Sequence, residues 1–157
     1  MAMNRADPAL YAPQISRARD WLQGLQSANG GWGAFDVDND KDYLNHIPFA
    51  DHGALLDPPT ADLTARYLSM IAQLGETPDT SASMTKALKY LLSSQETDGS
   101  WFGRWGMNYI YGTWQVLRGL HGIGFDMNEH WVIRGRDWLE CTQNPDGGWG
   151  ESCGSYD

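Results

Sequence analysis

A short pattern that occurs three times constrains the fold of this chain more than any other feature of its sequence. Each copy has a Gln, three further residues, a Gly, one residue of any type and a Trp, and an aromatic-Leu pair precedes each Gln. We call it the Gln–Trp unit, and its copies are Gln26 to Trp32, Gln95 to Trp101 and Gln143 to Trp149. An internal repeat predicts an array of similar structural units.

The residues before each unit predict an amphipathic helix. Apolar residues recur at the three- and four-residue spacing of one helix face; they are Ile15, Ala18, Leu22 and Leu25 before the first unit, and Met84, Ala87, Leu88, Leu91 and Leu92 before the second. The glycines of each unit then favour a turn. We interpret the unit as a staple between consecutive helices, in which the Gln amide binds backbone groups at a helix end and the Trp ring covers the junction. Ligand binding by these Trp side chains is the alternative.

Two further segments predict helices. One follows Pro58 and Pro59, with Thr60 as a predicted N-cap and Gly75 at its end. The other, NYIYGTWQVLRGL, is apolar nearly all round and is predicted to be buried. The alternation of amphipathic and more buried helices indicates an all-α array of helical hairpins. The long loop before the first of these helices, residues 31–58, contains aromatic residues and is expected to be functional.

Composition excludes several classes of function. The net charge of −9 argues against nucleic acid as a partner. The two cysteines and four histidines show no metal-ligand spacing, and DVDNDKD fails as a calcium loop because Lys41 stands where a Gly is needed and Ile47 where a Glu is needed. The sequence shows no signal peptide, which predicts that the protein is not secreted, and no membrane-spanning stretch. A turn motif close to the last residue led us to expect a longer protein.

At the level of motifs, the chain resembles the squalene–hopene cyclases among the triterpene cyclases. The resemblance is carried by the three Gln–Trp units together with GGWGAFDVDN, NHIPF, DPPTADLTAR and DGSWFGRWGMNYIYGT. It implies an α/α toroid, of which residues 1–157 would be part of the C-terminal-type barrel domain. The remaining helices and the Asp-x-Asp-Asp acid motif would lie on sequence outside this chain, since the nearest run, Asp36 to Asn39, ends in Asn.

The resemblance also implies an activity. Squalene–hopene cyclases bind squalene in an apolar cavity, and a protonated Asp of the acid motif starts a carbocation cascade that ends in hopene or hopanol. No metal or organic cofactor is implied. The parent protein would lie on the cytoplasmic side of a membrane as a peripheral, monotopic protein, and a homodimer is left open. Without the acid motif, this chain alone is expected to be inactive.

Individual positions match residues with known roles in the family. Asp62 and Arg66, neighbours at the i, i+4 helix spacing, match a pair that assists the acid. Three aromatic positions match residues that stabilise the cation, and two match the narrow point of the substrate channel. The aromatic positions are Phe35, where some members have Tyr, Trp105 and Tyr111, and the channel positions are Phe49 and Ala50.

Two alternatives remain at this stage. The first is a related cyclase that acts on oxidosqualene or a diterpene precursor. The second is a non-catalytic helical-repeat module that binds protein, although a free-standing array of that kind needs polar end caps.

Overall fold

The fold is all-helical in a computed structural model that describes residues 2–47 and 55–156. Six α-helices follow one another in these ranges, and no strand occurs there beyond three isolated β-bridges. The all-α prediction is therefore confirmed. The helices are α1 (Ala2–Ala6), α2 (Ala12–Gly24), α3 (Ala61–Ala72), α4 (Ala82–Ser93), α5 (Asn108–Gly122) and α6 (His130–Cys141), with short 3₁₀ helices at Asp42–His46 and Cys153–Tyr156.

Helix α3 lies at the centre of the core. It packs most extensively against α5, while α4 packs against α3 and α6 packs against α5. Its residues Ala65, Leu68 and Ile71 are fully buried, as are Val116 and Leu120 of α5. Each fully buried Leu or Ile contributes about 1.5–3 kcal/mol of transfer free energy to folding. The inner pair α3 and α5 is thus flanked by the outer helices α2, α4 and α6.

The predicted apolar faces of the helices are buried to different extents. On α4, Met84, Ala87 and Leu91 are fully buried, but Leu92 is exposed. On α2 no residue is fully buried, and only Leu22 and Leu25 pack against the core. Helix α2 packs against the short α1 and reaches the core through Leu22 and Leu25, so most of its residues stay exposed in the described ranges.

Helix α5 is not buried on all sides, contrary to the prediction. Its buried face carries small and polar residues, among them Gly112, Thr113 and Gly119, whereas the side chain of Trp114 is 47% exposed. A Cβ atom at Gly119 would lie 2.8 Å from the carbonyl oxygen of Ala65. The close approach of α3 and α5 requires small residues at the contact, so the large ring of Trp114 lies on the other side.

The start of α3 agrees with the prediction in position and differs in mechanism. Thr60 has the extended backbone of an N-cap, but its side chain makes no capping bond, and its hydroxyl is buried without a partner among the described residues. The Thr60 N–H instead donates to the Trp32 carbonyl oxygen at 3.0 Å. The helix ends at Ala72, three residues before the predicted Gly75.

Candidate active site

The first Gln–Trp unit connects α2 to the first turn of α4. The Gln26 side-chain nitrogen donates to the carbonyl oxygens of Gly30 at 2.8 Å and Ser83 at 3.0 Å. The Trp32 indole N–H donates to the carbonyl oxygen of Leu22 at 2.7 Å. The indole bond adds a second donor to a carbonyl in the last turn of α2, and the Gln26 bonds join the turn of the unit to the start of α4.

The second unit repeats this geometry between α4 and α6. The Gln95 side-chain nitrogen donates to the carbonyl oxygens of Gly99 at 2.8 Å and Trp131 at 2.7 Å. The Trp101 indole N–H donates to the carbonyl oxygen of Leu91 at 2.7 Å. The two units therefore join the outer helices in series, from α2 to α4 and from α4 to α6.

Each of these units also binds an inner helix through a Thr that the sequence reasoning missed. The backbone N–H of Trp32 donates to the Thr64 hydroxyl of α3 at 3.1 Å, and that of Trp101 donates to the Thr113 hydroxyl of α5 at 2.9 Å. The two Thr residues follow their Trp at different sequence distances. A search for a fixed spacing could therefore not have found them.

The third unit keeps only its local bonds. Gln143 donates to the Gly147 carbonyl oxygen at 2.7 Å, and the Trp149 indole donates to the Leu139 carbonyl oxygen at 2.9 Å. Among the described residues, no later helix accepts a second bond from Gln143. The Trp149 side chain is 49% exposed, whereas the Trp32 and Trp101 side chains are buried.

The predicted pair on α3 does not form an ion pair. Asp62 is fully buried, and one of its carboxylate oxygens accepts the backbone N–H of Trp105 at 3.3 Å. Its other oxygen has no hydrogen-bond partner among the described residues. Arg66, one turn later, is exposed, and no ion pair joins it to Asp62. Asp62 thus points into the protein towards the loop before α5, rather than along the surface towards Arg66.

Arg66 instead binds α5. Its Nη2 atom donates to the Tyr111 hydroxyl at 2.9 Å, and its guanidinium carbon lies 5.9 Å from the centre of the Tyr111 ring. The carboxamide of Gln115, with its oxygen turned towards α3, accepts from Nε and Nη2 of Arg66 at 3.1 Å each. The sequence reasoning missed Gln115, whose side chain is buried. Arg66 is therefore oriented by two side chains of the neighbouring helix.

The predicted aromatic residues lie close to this pair. The Phe35 and Trp105 rings make an edge-to-face contact, with centres 5.6 Å apart and an interplanar angle of 85°. Both rings are largely exposed, at 70% and 47%. The structure thus links Phe35 to Trp105, Trp105 to Asp62, and Arg66 to Tyr111. The two predicted channel residues, Phe49 and Ala50, lie outside the described residues.

A buried carboxylate that the sequence reasoning missed holds the loop of Phe35. Asp57 accepts the backbone N–H groups of Ala34 at 3.0 Å, Phe35 at 2.5 Å and Asp36 at 2.8 Å. Burial alone would raise the pKa of Asp57, but these N–H groups and the charge of Arg104 outweigh it, and its pKa lies below the usual range. The aromatic residues of the loop 31–58 indicate a functional segment, but they do not indicate that Asp57 holds it.

Two cavities adjoin Arg66, and only the first is lined mainly by apolar side chains. One, of about 280 Å³, lies between α2 and α3 and is lined by Leu22, Trp32, Leu63 and Arg66, among others. The other, of about 350 Å³, is bordered by Arg66, Trp114 and Gln115. Phe35 and Trp105 line neither cavity and face outward instead. The Arg66 side chain therefore lines both cavities.

The described ranges contain neither a candidate metal site nor a candidate membrane-spanning helix. No group of three or more His, Cys, Asp or Glu side chains there could hold a metal ion. None of the helices there has the length and apolar character needed to cross a bilayer.

Comparison with known proteins shows that the sequence of this chain is similar to those of squalene–hopene cyclases. The chain is 55% identical over 146 residues to the squalene–hopene cyclase of Bradyrhizobium diazoefficiens, which covers 93% of this chain and 22% of that protein. It is 56% identical over 161 residues to the squalene–hopene cyclase of Zymomonas mobilis, covering 99% and 24%. The dammaradiene synthase of Dryopteris crassirhizoma is more distant, at 41% over 159 residues, covering 90% and 23%.

The chain spans about a quarter of the length of these curated relatives. The family model described as the squalene-hopene cyclase C-terminal domain matches all of it, residues 1–157. The all-helical architecture agrees with the α/α toroid implied by the resemblance. By sequence and by architecture, the chain belongs to the squalene-hopene cyclase C-terminal domain family.

Proposed function

We propose that this chain is part of a squalene–hopene cyclase that converts squalene to hopene or hopanol. The observation that carries the proposal is the connected set of Phe35, Trp105, Asp62, Arg66 and Tyr111, which lies around the inner helices α3 and α5. The names of the relatives at 55% and 56% identity support the same substrate.

The aromatic side chains would stabilise the cationic intermediates. A carbocation inside a hydrocarbon pocket cannot be solvated by water, because water would capture it. The face of an aromatic ring attracts a cation by about 0.5–1 kcal/mol at exposed sites and by about 2 kcal/mol or more when the pair is desolvated. The exposed rings of Phe35 and Trp105 offer such faces, and Tyr111 already lies beside the cation of Arg66.

Asp62 and Arg66 would assist the catalytic acid from two directions. Asp62 would act through Trp105, whose backbone N–H it accepts at 3.3 Å, because its own side chain is fully buried. Arg66 carries a positive charge, and its bonds to Tyr111 and Gln115 fix the orientation of the guanidinium group. In this proposal the acid itself belongs to an Asp-x-Asp-Asp motif outside the chain, and the isolated chain is inactive.

The chemistry of the substrate supports a location. Squalene is a hydrocarbon and dissolves in the apolar layer of a membrane rather than in water. We therefore propose that the parent protein is attached peripherally to the cytoplasmic face of a membrane. A homodimeric parent stays a prediction.

The test is a product assay with the full-length protein. Purified protein is incubated separately with squalene and with its terminal epoxide, and the products are identified by gas chromatography and mass spectrometry. We expect hopene or hopanol from squalene, and no product from the isolated 157-residue chain. Conversion of the epoxide alone would indicate an oxidosqualene cyclase, and the absence of any cyclic product from either substrate would contradict a cyclase function.

A further inference from the structure

Asp57 lies in the segment before α3, and its carboxylate binds the backbone around Phe35, the first residue of the Phe35–Trp105 ring contact. Its Oδ1 atom accepts the N–H of Ala34, and its Oδ2 atom accepts the N–H groups of Phe35 and Asp36. Only 6% of Asp57 is exposed. Three bonds to consecutive residues fix both the position and the direction of the backbone that carries the Phe35 ring.

The same segment also binds the residue before Trp105, the second residue of the ring contact. The Nη2 atom of Arg104 donates to the carbonyl oxygen of Leu56 at 3.1 Å. The charge of Arg104 acts on the Asp57 carboxylate. Arg104 immediately precedes Trp105, so the dipeptide Leu56–Asp57 fixes the backbone next to each ring of the pair.

The surroundings leave the Asp57 carboxylate little room to move. The Asp57 N–H donates to the Asn39 carbonyl oxygen at 3.0 Å, which closes the loop from its other end. A Cβ atom at Gly33 would lie 2.5 Å from the Asp57 carbonyl oxygen and 2.7 Å from Oδ2. Real Cβ atoms do not approach so closely, so Gly33 allows the loop to close over the carboxylate.

We propose that Asp57 is a positioning residue that sets the separation and angle of the Phe35 and Trp105 rings. The inference rests on the proposed function, because it assigns a role to that pair during cyclisation. Asp57 does not contact the substrate. It acts through Phe35, by holding the loop, while the adjacent Leu56 acts on Trp105 by accepting a hydrogen bond from Arg104.

The test uses the full-length enzyme with Asp57→Asn. An Asn amide has one acceptor oxygen, so in either orientation its NH₂ group faces N–H donors that the carboxylate had accepted. Misplacement of reacting groups by about 1 Å costs up to about 10²-fold in rate, so we expect kcat to fall on the order of tenfold or more. The fraction of incompletely cyclised products should rise, while KM for squalene changes little.

Asp98→Asn is the matched control. Asp98 is also a carboxylate with a lowered pKa, but its partners, Ser100 and Trp138, belong to the second Gln–Trp unit and α6. The first unit has Asn29 at the corresponding position, where it makes the same turn bond. This variant should keep the wild-type kcat and product ratio.

A Phe35→Ala background separates positioning from general stabilisation. If Asp57 acts through Phe35, Asp57→Asn should change the product ratio much less in that background than in the wild type. Equal and independent effects of the two substitutions would overturn the proposal, as would a wild-type product ratio in the single Asp57→Asn variant. If Phe35→Ala and Trp105→Ala both leave the products unchanged, the proposed function of the pair fails instead.

A variant that retains the carboxylate covers the case in which Asp57→Asn does not fold. Arg104→Gln removes the charge facing Asp57 and leaves the three loop bonds in place. We expect a smaller shift in the same direction, towards incomplete cyclisation. A folded Arg104→Gln enzyme with wild-type products would overturn the role assigned to the Leu56–Asp57 segment at Trp105.

Discussion

The indole N–H of Trp101 donates to the carbonyl oxygen of Leu91 at 2.7 Å, inside the core. Trp101 and Leu91 are both fully buried, so no water can replace the bond. The corresponding bond of the third unit, from Trp149 to Leu139, lies in a half-exposed setting. The same hydrogen bond thus occurs in two environments, which allows its contribution to be measured.

Trp101→Phe should destabilise the 157-residue chain far more than Trp149→Phe. The first substitution removes the indole donor from a buried carbonyl that keeps only the Ser94 hydroxyl, and it leaves a gap where the larger ring was, at a cost of about 2–4 kcal/mol. The second should cost less than about 1 kcal/mol in this chain, because water can reach the carbonyl of Leu139. Urea denaturation compares the two free energies of unfolding, and similar losses would contradict the assigned difference in burial.

A glycine of the first unit provides a second stability prediction. Gly30 has a φ of 97°, and a Cβ atom there would lie 2.5 Å from the carbonyl oxygen of Lys86. Gly75 has a φ of 85° but open space around it. Both Gly→Ala variants incur the left-handed backbone cost of about 1–2 kcal/mol, and Gly30→Ala adds a clash with α4.

The two melting temperatures measure that difference. We expect Gly75→Ala to lower the melting temperature modestly and Gly30→Ala to lower it clearly more. Equal losses would mean that the contact between the first unit and α4 is looser than the structure shows.

The orientation of Arg66 gives a prediction about activity. Gln115→Leu removes the acceptor that holds Nε and Nη2 of Arg66, and leaves the bond to Tyr111. If the direction of the guanidinium matters for the acid, kcat of the full-length enzyme should fall by about three- to tenfold, the effect of about 0.5–1.5 kcal/mol for one hydrogen bond. Gln115→Glu keeps an acceptor and should recover most of the rate. Equal activity of the two variants would contradict the prediction.

The acid sensitivity of the protein should depend partly on Asp98. Burial alone would raise its pKa, but the hydroxyl and N–H of Ser100 and the indole of Trp138 outweigh burial and lower it. A carboxyl whose pKa is lowered by folding stabilises the protein above its unfolded pKa of about 4, and this stabilisation is lost as the pH falls through the lower, folded value.

A melting series against pH tests this. The melting temperature should be nearly constant from about pH 7 to about pH 5 and should fall below about pH 4. Asp98→Asn should lower the melting temperature at neutral pH, because the stabilising carboxylate is absent there, and should reduce the slope below about pH 4. A slope identical to that of the wild type would mean that other carboxylates account for the acid transition.

The helices and turns could be predicted from sequence because their causes are local. Helical periodicity around Met84 and Leu91, and the glycines of the Gln–Trp units, act within a few residues of their own positions. The errors arise where a partner distant in sequence decides the outcome. Trp114 lies on the exposed side of α5 because Gly119 must contact Ala65, and no pattern within α5 shows this.

The candidate site was predictable only as a set of positions. Resemblance pointed to Asp62, Arg66, Phe35, Trp105 and Tyr111, and the structure shows that these lie close together. Their supporting residues, Asp57 and Gln115, are single polar residues without spacing or repetition. Their importance becomes visible only when residues more than 20 positions apart are brought into contact.

The side-chain nitrogens of Gln26 and Gln95 donate only to backbone carbonyl oxygens of the outer helices and of the turns between them. A backbone acceptor does not depend on which side chain its residue carries. The side chains of the inner helices can therefore change in evolution while these outer bonds keep their acceptors.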